Sequence, residues 1–341
     1  MKLILKGFTL QELETVITDN GFPNYKAHQI YNWIYKQGES NINAMSNLSK
    51  DLKYFLNENA ILNTLQLSKH IESKNTIKFL FKTHNDKYIE SVSMIEDNRH
   101  TICLSSQVGC SVDCDFCATG KMGFIQNLNA GEIIDQLLFI KNSIKQPITN
   151  IVFMGMGEPF LNYNNVIKAA KLMNDQDGLN FAAHRITIST AGILPKINQF
   201  IDEKLKFNIA ISLNASNNAT RDELMPINKK WPISDLIQVA KQFNKNSRHT
   251  ITFEYVLIDS INDSKEDAIQ LTRLLKNSGC KLNIIPFNDI GNKYKRPSVE
   301  RIEYFLDIIH QKHQGFQILV RWSKGVDINA GCGQLATQDI K

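Results

Sequence analysis

Hydrophobic and polar positions divide the chain into a short helical region and a longer region of strands and helices. Up to about residue 65, apolar side chains recur at intervals of three and four residues, which is the spacing of amphipathic helices. The positions that carry this pattern are Leu10, Leu13, Val16, Ile17, Ile30, Trp33 and Ile34. The pattern predicts a small N-terminal helical domain over residues 1–70. It leaves open whether that domain only packs against the rest of the chain or also contacts a partner.

From residue 75 onward the pattern changes to that of a sheet. Three segments within residues 75–105 are β-branched and alternate between apolar and polar positions, as half-buried strands do. Beyond residue 128, helices near 129–146 and 163–175 alternate with apolar strands. These strands occupy residues 149–155, 185–190, 208–213, 250–258, 281–287 and 316–322. Apolar strands separated by helices predict parallel βαβ units with both faces of the sheet covered.

Roughly six such units favour an open or closed α/β barrel over a flat doubly wound sheet. Residues 71–341 are therefore predicted to form one large α/β domain. In such folds the binding residues follow the carboxyl ends of the strands, and polar residues stand there in this sequence. They are Gly157, Glu158, Ser189, Ser212, Asn214 and Asn288.

Composition narrows the class of protein without identifying it. The chain has 341 residues, of which 43% are hydrophobic and 21% charged, the values of an ordinary globular protein. It contains no apolar run of the ~20 residues that a membrane-spanning helix needs, and its start lacks the features of a secretory signal. We therefore expect a soluble protein of the cytoplasm. A net charge of +5 suits a polyanionic partner such as nucleic acid but is also common among metabolic enzymes.

Three of the six cysteines form the strongest chemical pattern in the sequence. Cys110, Cys114 and Cys117 follow the strand TICLSS in a C-x3-C-x2-C arrangement. Three thiolates can hold three irons of a four-iron cluster and leave the fourth iron open. Structural zinc normally has four ligands, and no second cysteine pair or suitably spaced histidine follows. The spacing favours an iron–sulfur cluster over zinc. Taken singly, the scattered cysteines Cys103, Cys280 and Cys332 are typical of small buried side chains.

Several longer motifs resemble a known family. The cysteine loop, with an aromatic residue before its third cysteine, resembles the radical S-adenosylmethionine superfamily, and GMGEP at 155–159 resembles that superfamily's motif for the methionine amino group. The phrases SSQVGC, CATGKMGF, ITIST, LMPIN, FEYVL and D-I-x-A-x-CGQL resemble the dual-specificity RlmN family of adenine carbon-2 RNA methyltransferases. This resemblance runs from about residue 7 to residue 335. It implies a partial (β/α)6 radical SAM barrel, one 4Fe-4S cluster, and S-adenosylmethionine as both methyl donor and radical source.

The resemblance also implies a role for each of the lone polar residues. Cys332 would accept a methyl group from one S-adenosylmethionine, and a radical from a second molecule would activate that methyl for addition to adenine carbon 2. Cys103 would then attack the sulfur of Cys332, which releases the product and leaves a transient disulfide. Glu90 would accept a proton, although the pattern alone would also allow an outward-facing strand carboxylate. Cys280 matches no family role and is expected in the core, at the end of a helix.

The implied contacts to S-adenosylmethionine come from strand-end residues. They are Gly157, Glu158, Ser189, Ser212, Leu213, Asn214 and Asn288. Asn214 stands where the family usually has histidine, so its contact, through side chain or backbone, is left open. The implied partners are 23S ribosomal RNA in the peptidyl-transferase region, transfer RNA next to the anticodon, and an electron donor such as flavodoxin with its reductase. A monomer that binds no membrane is expected.

Basic and aromatic residues that could contact RNA lie both in the helical region and beyond it. They occur within residues 22–36 and at Lys121, Phe124, Arg185, Arg321, Trp322 and Lys324. Stacking on unpaired bases and contacts to phosphates use such side chains. Because the target base must leave its stack to reach a buried radical, the site itself is expected in a cavity.

Three alternatives to a carbon-2 RNA methyltransferase follow from the same motifs. The sister Cfr type methylates adenine carbon 8 by similar steps, but SQVGC, GEPFLN and FEYVL look nearer to the carbon-2 family. A radical enzyme acting on a small metabolite would not explain the pair Cys103 and Cys332. A non-enzymatic iron–sulfur RNA-binding protein would need neither GMGEP nor the polar strand ends.

Overall fold

The chain was examined as a computed structural model, which describes residues 2–246, 250–312 and 315–337. Met1 and residues 338–341, at the outer ends of the two predicted domains, lie outside the described residues. The helices are α1 Leu10–Asp19, α2 Tyr25–Tyr31, α3 Lys50–Asn59, α4 Ala118–Lys121, α5 Ala130–Ser143, α6 Tyr163–Asn174, α7 Leu194–Asp202, α8 Asn218–Leu224, α9 Ile233–Asn246, α10 Lys265–Leu275 and α11 Val299–Lys312. The strands are β1 Leu3–Ile4, β2 Ala60–Ile61, β3 Leu65–Ser73, β4 Thr76–Thr83, β5 Tyr88–Glu96, β6 Arg99–Cys103, β7 Gln107–Gly109, β8 Phe124–Asn127, β9 Asn150–Phe153, β10 Ile186–Thr190, β11 Asn208–Ser212, β12 Thr252–Leu257, β13 Lys281–Pro286 and β14 Gln317–Val320.

One sheet of ten strands forms the centre of the molecule. Its order is β14-β13-β12-β11-β10-β9-β6-β5-β4-β3. Each neighbouring pair from β6 through β9 to β14 is parallel, and helices α5 to α11 stand between most of these strands in the chain. The side chains of β9, β11 and β12 are mostly buried, as expected for strands covered on both faces. The predicted α/β fold with parallel βαβ units is confirmed.

Three antiparallel strands extend this sheet beyond β6. Strands β3, β4 and β5 pair in sequence, and β5 pairs with β6. Strand β3 was not predicted. It is an edge strand with a register shift between Leu67 and Lys69, and most of its side chains reach solvent. Because the bulge interrupts the alternation and no face of the strand is fully buried, the sequence lacks the usual strand pattern.

The N-terminal region is helical, as predicted. Helix α1 begins with a capping box, in which Thr9 accepts from the N–H of Glu12 and the Glu12 carboxylate accepts from the N–H of Thr9. Residues Leu13 and Ile17 of this helix are fully buried. The buried ammonium of Lys6 contacts the carboxylate of Asp135 on α5 at 2.5 Å, which ties the N-terminal region to the helical layer of the sheet.

Two local predictions are wrong. The strand that includes Cys103 ends there, at residue 103 rather than 106, and the short strand β7 lies between it and Cys110. Cys280 does not end a helix, because α10 ends at Leu275 and Cys280 lies in the connection directly before β13. Its side chain is 1% exposed, so the expected core position is confirmed.

The segment after β14 returns across the molecule to the antiparallel strands. Ser73 at the end of β3 donates a hydrogen bond to Asp327, and the carbonyl of Asn329 accepts one from Lys78 on β4 at 3.4 Å. The described residues form no ladder between the two edge strands, β3 and β14. Residues 325–337, which we call the return segment, therefore link the two ends of the open sheet and carry Cys332 between them.

Within residues 2–246, 250–312 and 315–337, no helix has the length and apolar character required to cross a membrane.

Candidate active site

The carboxyl ends of the parallel strands surround a cavity of about 160 Å³. Its walls come from the strand ends β9 to β13, from the loop that carries the three clustered cysteines, and from the return segment. The residues singled out from the sequence that line it are Cys110, Cys114, Cys117, Gly157, Glu158, Ser189, Ser212, Asn214, Asn288 and Cys332. These residues come from six separate parts of the chain, and four of those parts meet because parallel strands end at one edge of the sheet.

The three clustered cysteines lie in the loop between β7 and α4. Burial raises the pKa of Cys110 to about 12 and raises the pKa of Cys114 and Cys117, and the neighbouring thiols contribute to each increase. Without a metal these thiols are protonated at neutral pH. The loop is closed by the N–H of Cys117, which donates to the carbonyl of Cys114 at 3.1 Å. It is held to the return segment by the N–H of Ala118, which donates to the carbonyl of Gly333 at 2.7 Å.

The donor set suits a cluster better than a single ion. Within the described ranges, no three His, Cys, Asp or Glu side chains are arranged to hold one metal ion. The irons of a four-iron cluster occupy separate corners of a cube, so its three cysteine ligands need to face a common space without converging on one point. Cys110, Cys114 and Cys117 face such a space, and no fourth cysteine or histidine lines the cavity beside them except Cys332 on the return segment.

Glu158 is a buried carboxylate without a cation. Its side chain is 5% exposed, and it accepts from the backbone N–H groups of Phe160 at 2.9 Å and Ala191 at 2.6 Å. No ion pair to it occurs in the described part of the chain. Burial raises the pKa of Glu158 to about 7, although these two hydrogen bonds and a third from the side chain of Thr190 act to lower it. The group is an acceptor aimed at the cavity whose charge a polar or cationic ligand would stabilise.

Gly157, directly before that carboxylate, lies too close to Gln107 for a side chain. Its φ of +96° is in the left-handed region, and a Cβ there would lie 2.8 Å from the backbone nitrogen of Gln107. The side chain of Gln107 in turn accepts from the N–H of Glu158 at 2.8 Å. A side chain at position 157 would therefore displace both the glutamine and the neighbouring glutamate.

Asn288 has an unused hydrogen-bond acceptor in the cavity. Its amide nitrogen donates to the hydroxyl of Ser323 at 2.8 Å and to the carbonyl of Cys332 at 3.0 Å. Its carbonyl oxygen is buried and has no partner among the described residues. A buried acceptor without a donor is costly, so this oxygen suits an N–H or O–H group of a bound molecule.

The other predicted cofactor contacts differ in whether they line the cavity and in which hydrogen bonds their side chains already make. Ser189 lines the cavity, and its hydroxyl donates to the carbonyl of Phe153 at 2.6 Å. Asn214 has a φ of +56°, and its side-chain oxygen accepts from the N–H of Val256 at 2.8 Å. Leu213 is fully buried and does not line the cavity, so only its backbone contributes to the neighbourhood.

Two further cysteines, Cys103 and Cys332, lie near each other beside the three cysteines of the loop. Cys103 ends β6 and is buried, and Cys332 lines the cavity. Burial, with a smaller contribution from the neighbouring Cys332, raises the pKa of Cys103 to about 12. The guanidinium of Arg321 acts in the opposite direction on Cys103, and its own pKa is raised, chiefly by Cys332. All six cysteines are free thiols in this structure, so the disulfide expected during turnover is not formed here.

Glu90 lies outside the cavity lining, behind the return segment. Its carboxylate is 1% exposed and lies 3.2 Å from the ammonium of Lys78. The second carboxylate oxygen accepts from the backbone N–H groups of Ala336 at 2.9 Å and Thr337 at 3.0 Å. In this arrangement Glu90 holds the segment that carries Cys332.

The predicted RNA-contacting residues are divided between surface and interior. Trp322 is 47% exposed with the Arg296 guanidinium 5.5 Å from its ring centre, and Phe124 is 48% exposed. Lys121 is paired with Asp115 at 2.6 Å. Arg321 is not a surface residue of this kind, because it faces the two thiols.

Comparison with known proteins agrees with this geometry. The sequence model of the Radical SAM superfamily matches residues 104–272, and that of the ribosomal RNA large subunit methyltransferase N-terminal domain matches residues 4–62. The chain is 40% identical over 333 residues to the dual-specificity RNA methyltransferase RlmN of Geobacter sulfurreducens, covering 97% of this chain and 91% of that one. It is also 40% identical over 336 residues to the RlmN protein of Geotalea uraniireducens, covering 98% and 96%. The chain belongs to the RlmN family of radical SAM RNA methyltransferases.

A solved structure extends the RlmN-family similarity to three dimensions. A radical SAM methyltransferase from Sphaerobacter thermophilus superimposes with a TM-score of 0.95 and 40% sequence identity, covering 98% of this chain and all of that one. The radical SAM core and the helical N-terminal region expected from the sequence are thereby confirmed. Membership of the superfamily implies a 4Fe-4S cluster and S-adenosylmethionine, and the three thiols, Glu158 and the free oxygen of Asn288 fit those groups.

Three residues at this site were not identified from the sequence. Glu254 lies in the middle of β12 and lines the cavity, where its carboxylate accepts from Asn283 at 2.8 Å. A carboxylate inside an otherwise apolar strand is a signal that could have been used. Lys78 interrupts β4 in the same way. Arg221 on α8 is fully buried, but nothing local in its helix predicts that.

Proposed function

We propose that this RlmN-family enzyme converts adenosine to 2-methyladenosine in 23S ribosomal RNA, in the peptidyl-transferase region, and in transfer RNA next to the anticodon. The observation that carries the proposal is that two groups of cysteines, the three of the loop and the pair Cys103 and Cys332, lie at or beside one cavity. Cys110, Cys114 and Cys117 suit a cluster with one open iron, and Cys332 reaches the same space with Cys103 beside it. A radical enzyme without a covalent methyl carrier would need only the first group.

The first group of residues would bind the cofactors. Cys110, Cys114 and Cys117 would hold the 4Fe-4S cluster, and Gly157 and Glu158 would bind the methionine part of S-adenosylmethionine. Together, when bound, these groups supply one-electron cleavage of the sulfonium and thus a radical able to abstract hydrogen. The remaining contacts would come from the strand-end residues Ser189, Ser212, Leu213, Asn214 and Asn288. The buried side-chain oxygen of Asn288, which has no partner among the described residues, supports its role as a cofactor contact. Leu213 could contribute only through its backbone, because its side chain does not line the cavity.

The second group would carry the methyl group and release the product. Cys332 would receive a methyl from one S-adenosylmethionine, and hydrogen abstraction from that methyl by the second would allow addition to adenine carbon 2. Carbon 2 is electrophilic, so direct displacement on the sulfonium would not methylate it. The adduct formed by this addition would have one unpaired electron; it would return that electron to the bound cluster, and Glu90 would accept the carbon-2 proton. Cys103 would then attack the sulfur of Cys332, so that the S–S bond forms as the carbon–sulfur bond to the product breaks, and the released carbon would take up a proton to become the methyl group. An external reductant would restore both thiols.

Proton transfer requires two changes from the structure described. Cys103 must lose its proton before it attacks, and the nearby positive charge of Arg321 favours the thiolate. Glu90, proposed as the proton acceptor, must be released from Ala336 and Thr337 to reach the base. Movement of the return segment when RNA binds would free Glu90 and bring Cys332 toward the substrate at the same time.

The partners and setting complete the proposal. A flavodoxin with its reductase would supply electrons, and a monomeric enzyme would act in the cytoplasm without a membrane. Residues 1–70 would form an accessory domain that contacts RNA, and residues 71–341 the catalytic domain. The positive net charge of +5 and the exposed Trp322 with its partner Arg296 support an RNA substrate.

The experiment is product identification after anaerobic reconstitution of the cluster. The enzyme is supplied with S-adenosylmethionine labelled in its methyl group, a reductant, and ribosomal or transfer RNA lacking the modification, and the nucleosides are analysed by mass spectrometry. Labelled 2-methyladenosine is expected, and Cys332→Ala should abolish it while leaving the cluster absorbance intact. 8-Methyladenosine would instead assign the chain to the Cfr type. Deoxyadenosine formation without any methylated base would refute the RNA substrate.

A further inference from the structure

Arg221 is a fully buried arginine whose hydrogen bonds all go to uncharged oxygens. It lies on α8 with 0% exposure. Its guanidinium donates to the carbonyl of Leu213 at 3.0 Å, to that of Ser212 at 2.9 Å and to that of Ala191 at 2.8 Å, and to the side-chain oxygen of Asn228 at 2.9 Å. These bonds join the loops that follow β10 and β11.

A buried guanidinium normally has an anionic partner, because removing its charge from water is costly. Arg221 has no carboxylate within ion-pair distance in the described ranges of the chain. Burial lowers the pKa of Arg221 to about 10, so it remains charged at neutral pH. Among the described residues, the carboxylate of Asp222 acts on this guanidinium only through space, and no anion is hydrogen-bonded to it.

The charge lies beside the cysteine loop. The carbonyl of Leu224, one helical turn beyond Arg221, accepts from the N–H of Asp115 at 2.9 Å. Leu224 and Met225 pack in one buried apolar cluster with Val112 and Phe116 of the cysteine loop. A thiolate at Cys114 is close enough to act on Arg221, and the guanidinium acts on Cys114 in return.

We propose that Arg221 is the internal countercharge of the iron–sulfur cluster and that it makes the cluster easier to reduce. The inference rests on the proposed function, because it needs a cluster at Cys110, Cys114 and Cys117. Three thiolates bring negative charge to this site, and one electron from the reductant adds another. A fixed positive charge in a poorly solvated interior stabilises the reduced state more than the oxidised one, which raises the midpoint potential.

Three substitutions at Arg221 separate this electrostatic role from a structural one. Arg221→Met and Arg221→Gln remove the charge, whereas Arg221→Lys keeps the charge and loses most of the hydrogen bonds. Arg185→Met is the control, since Arg185 precedes β10 at the opposite edge of the sheet from the cysteine loop. Each protein is reconstituted anaerobically, its iron is quantified, and its midpoint potential is measured by electron paramagnetic resonance during a redox titration without S-adenosylmethionine.

We expect the midpoint potential of Arg221→Met to be more negative than that of the wild type. The potentials of Arg221→Lys and Arg185→Met should be close to the wild-type value. Equal potentials in all four proteins would overturn the proposal, and so would equal shifts in the methionine and lysine variants. If Arg221→Met does not fold, Arg221→Gln takes its place in the comparison. Failure of the wild type itself to assemble a cluster would refute the proposed function rather than this inference.

A thermal cycle tests the same interaction without a redox measurement. Melting temperatures are taken for the wild type and Arg221→Gln, each with and without cluster. Because the cluster would add negative charge beside the buried guanidinium, cluster assembly should raise the melting temperature of the wild type more than that of the variant. Equal increments would show that Arg221 acts only through its hydrogen bonds, which would contradict the proposal.

Discussion

Glu158 and Glu90 are both buried carboxylates, but they belong to two regions that treat charge differently. Glu158 follows the parallel strand β9 and accepts from two backbone N–H groups and from the side chain of Thr190. Glu90 lies on the antiparallel strand β5, where it has the ammonium of Lys78 at 3.2 Å and two N–H groups of the return segment. The first carboxylate lacks a countercharge within the described residues, and the second already has one.

This difference indicates that the parallel edge of the sheet binds ligands, whereas the antiparallel edge holds the return segment in place. At the parallel edge the cavity contains groups that are incomplete without ligands: three protonated thiols, Glu158 with a pKa raised to about 7, and the free oxygen of Asn288. At the antiparallel edge Lys78 and Glu90 form a buried ion pair, and both contact the return segment. Cys332 lies between the two, which is where a residue that carries a group from cofactor to substrate needs to be.

The largest effect should come from removing one cluster ligand at the parallel edge. Cys114→Ala is expected to lose the charge-transfer absorbance of the cluster and to form no methylated RNA above background. The control is Cys280→Ala, which removes a buried thiol before β13, away from the cavity. Absorbance spectroscopy and iron analysis measure the result. A cluster of normal iron content in Cys114→Ala would contradict the assigned ligand set.

The antiparallel edge should respond differently to two substitutions at Glu90. Glu90→Ala removes the carboxylate that lies 3.2 Å from the buried ammonium of Lys78 and accepts from two N–H groups, and removing one member of a buried ion pair costs ~3–5 kcal/mol. Glu90→Gln keeps an acceptor for those N–H groups but has no proton-accepting carboxylate. We expect only the alanine variant to expose residues 325–337 to limited proteolysis, and both variants to lose methylation. Full activity of Glu90→Gln would exclude Glu90 as the proton acceptor.

The smallest predicted effect is a pH dependence that originates at Glu158. Its pKa rises from 4.5 to about 7 on folding, so the folded protein holds the proton more tightly than the unfolded chain. The contribution of this raised pKa to the unfolding free energy is fully present below about pH 4.5, and it is lost as the pH rises to about 7. Between pH 4.5 and 8, the unfolding free energy of the cluster-free wild type should therefore fall by up to ~3 kcal/mol relative to Glu158→Gln.

Denaturant unfolding at several pH values measures this difference. Glu303→Gln, on the exposed side of α11, serves as the surface control and should follow the wild type. A constant difference between Glu158→Gln and the wild type across this range would show that Glu158 titrates normally in the folded protein.

Local sequence patterns predicted the parallel strands because each strand is marked by its own run of apolar residues. Buried parallel strands are continuous apolar runs, and their carboxyl ends meet at one edge, so Gly157, Ser189 and Asn288 could be expected together. The same reasoning did not find β3, whose bulge and exposed side chains hide its alternation.

Contacts between distant segments could not be predicted from local patterns. The bonds from the return segment to Glu90 span about 246 residues of sequence, and neither partner carries a signal that names the other. Arg221 is a further case, since a single arginine in a short helix is typical of a solvated face. Only the assembled loops after β10 and β11 reveal that it is enclosed.

The central claim, that Cys332 carries the methyl group and Cys103 releases the product, is tested most directly with Cys103→Ala. The reconstituted variant is incubated with S-adenosylmethionine, reductant and unmodified RNA, digested with nuclease and protease, and analysed by mass spectrometry. We predict a peptide containing Cys332 joined through one carbon to adenosine, with little free methylated RNA. Free 2-methyladenosine at the wild-type rate, with no adduct on Cys332, would contradict the account.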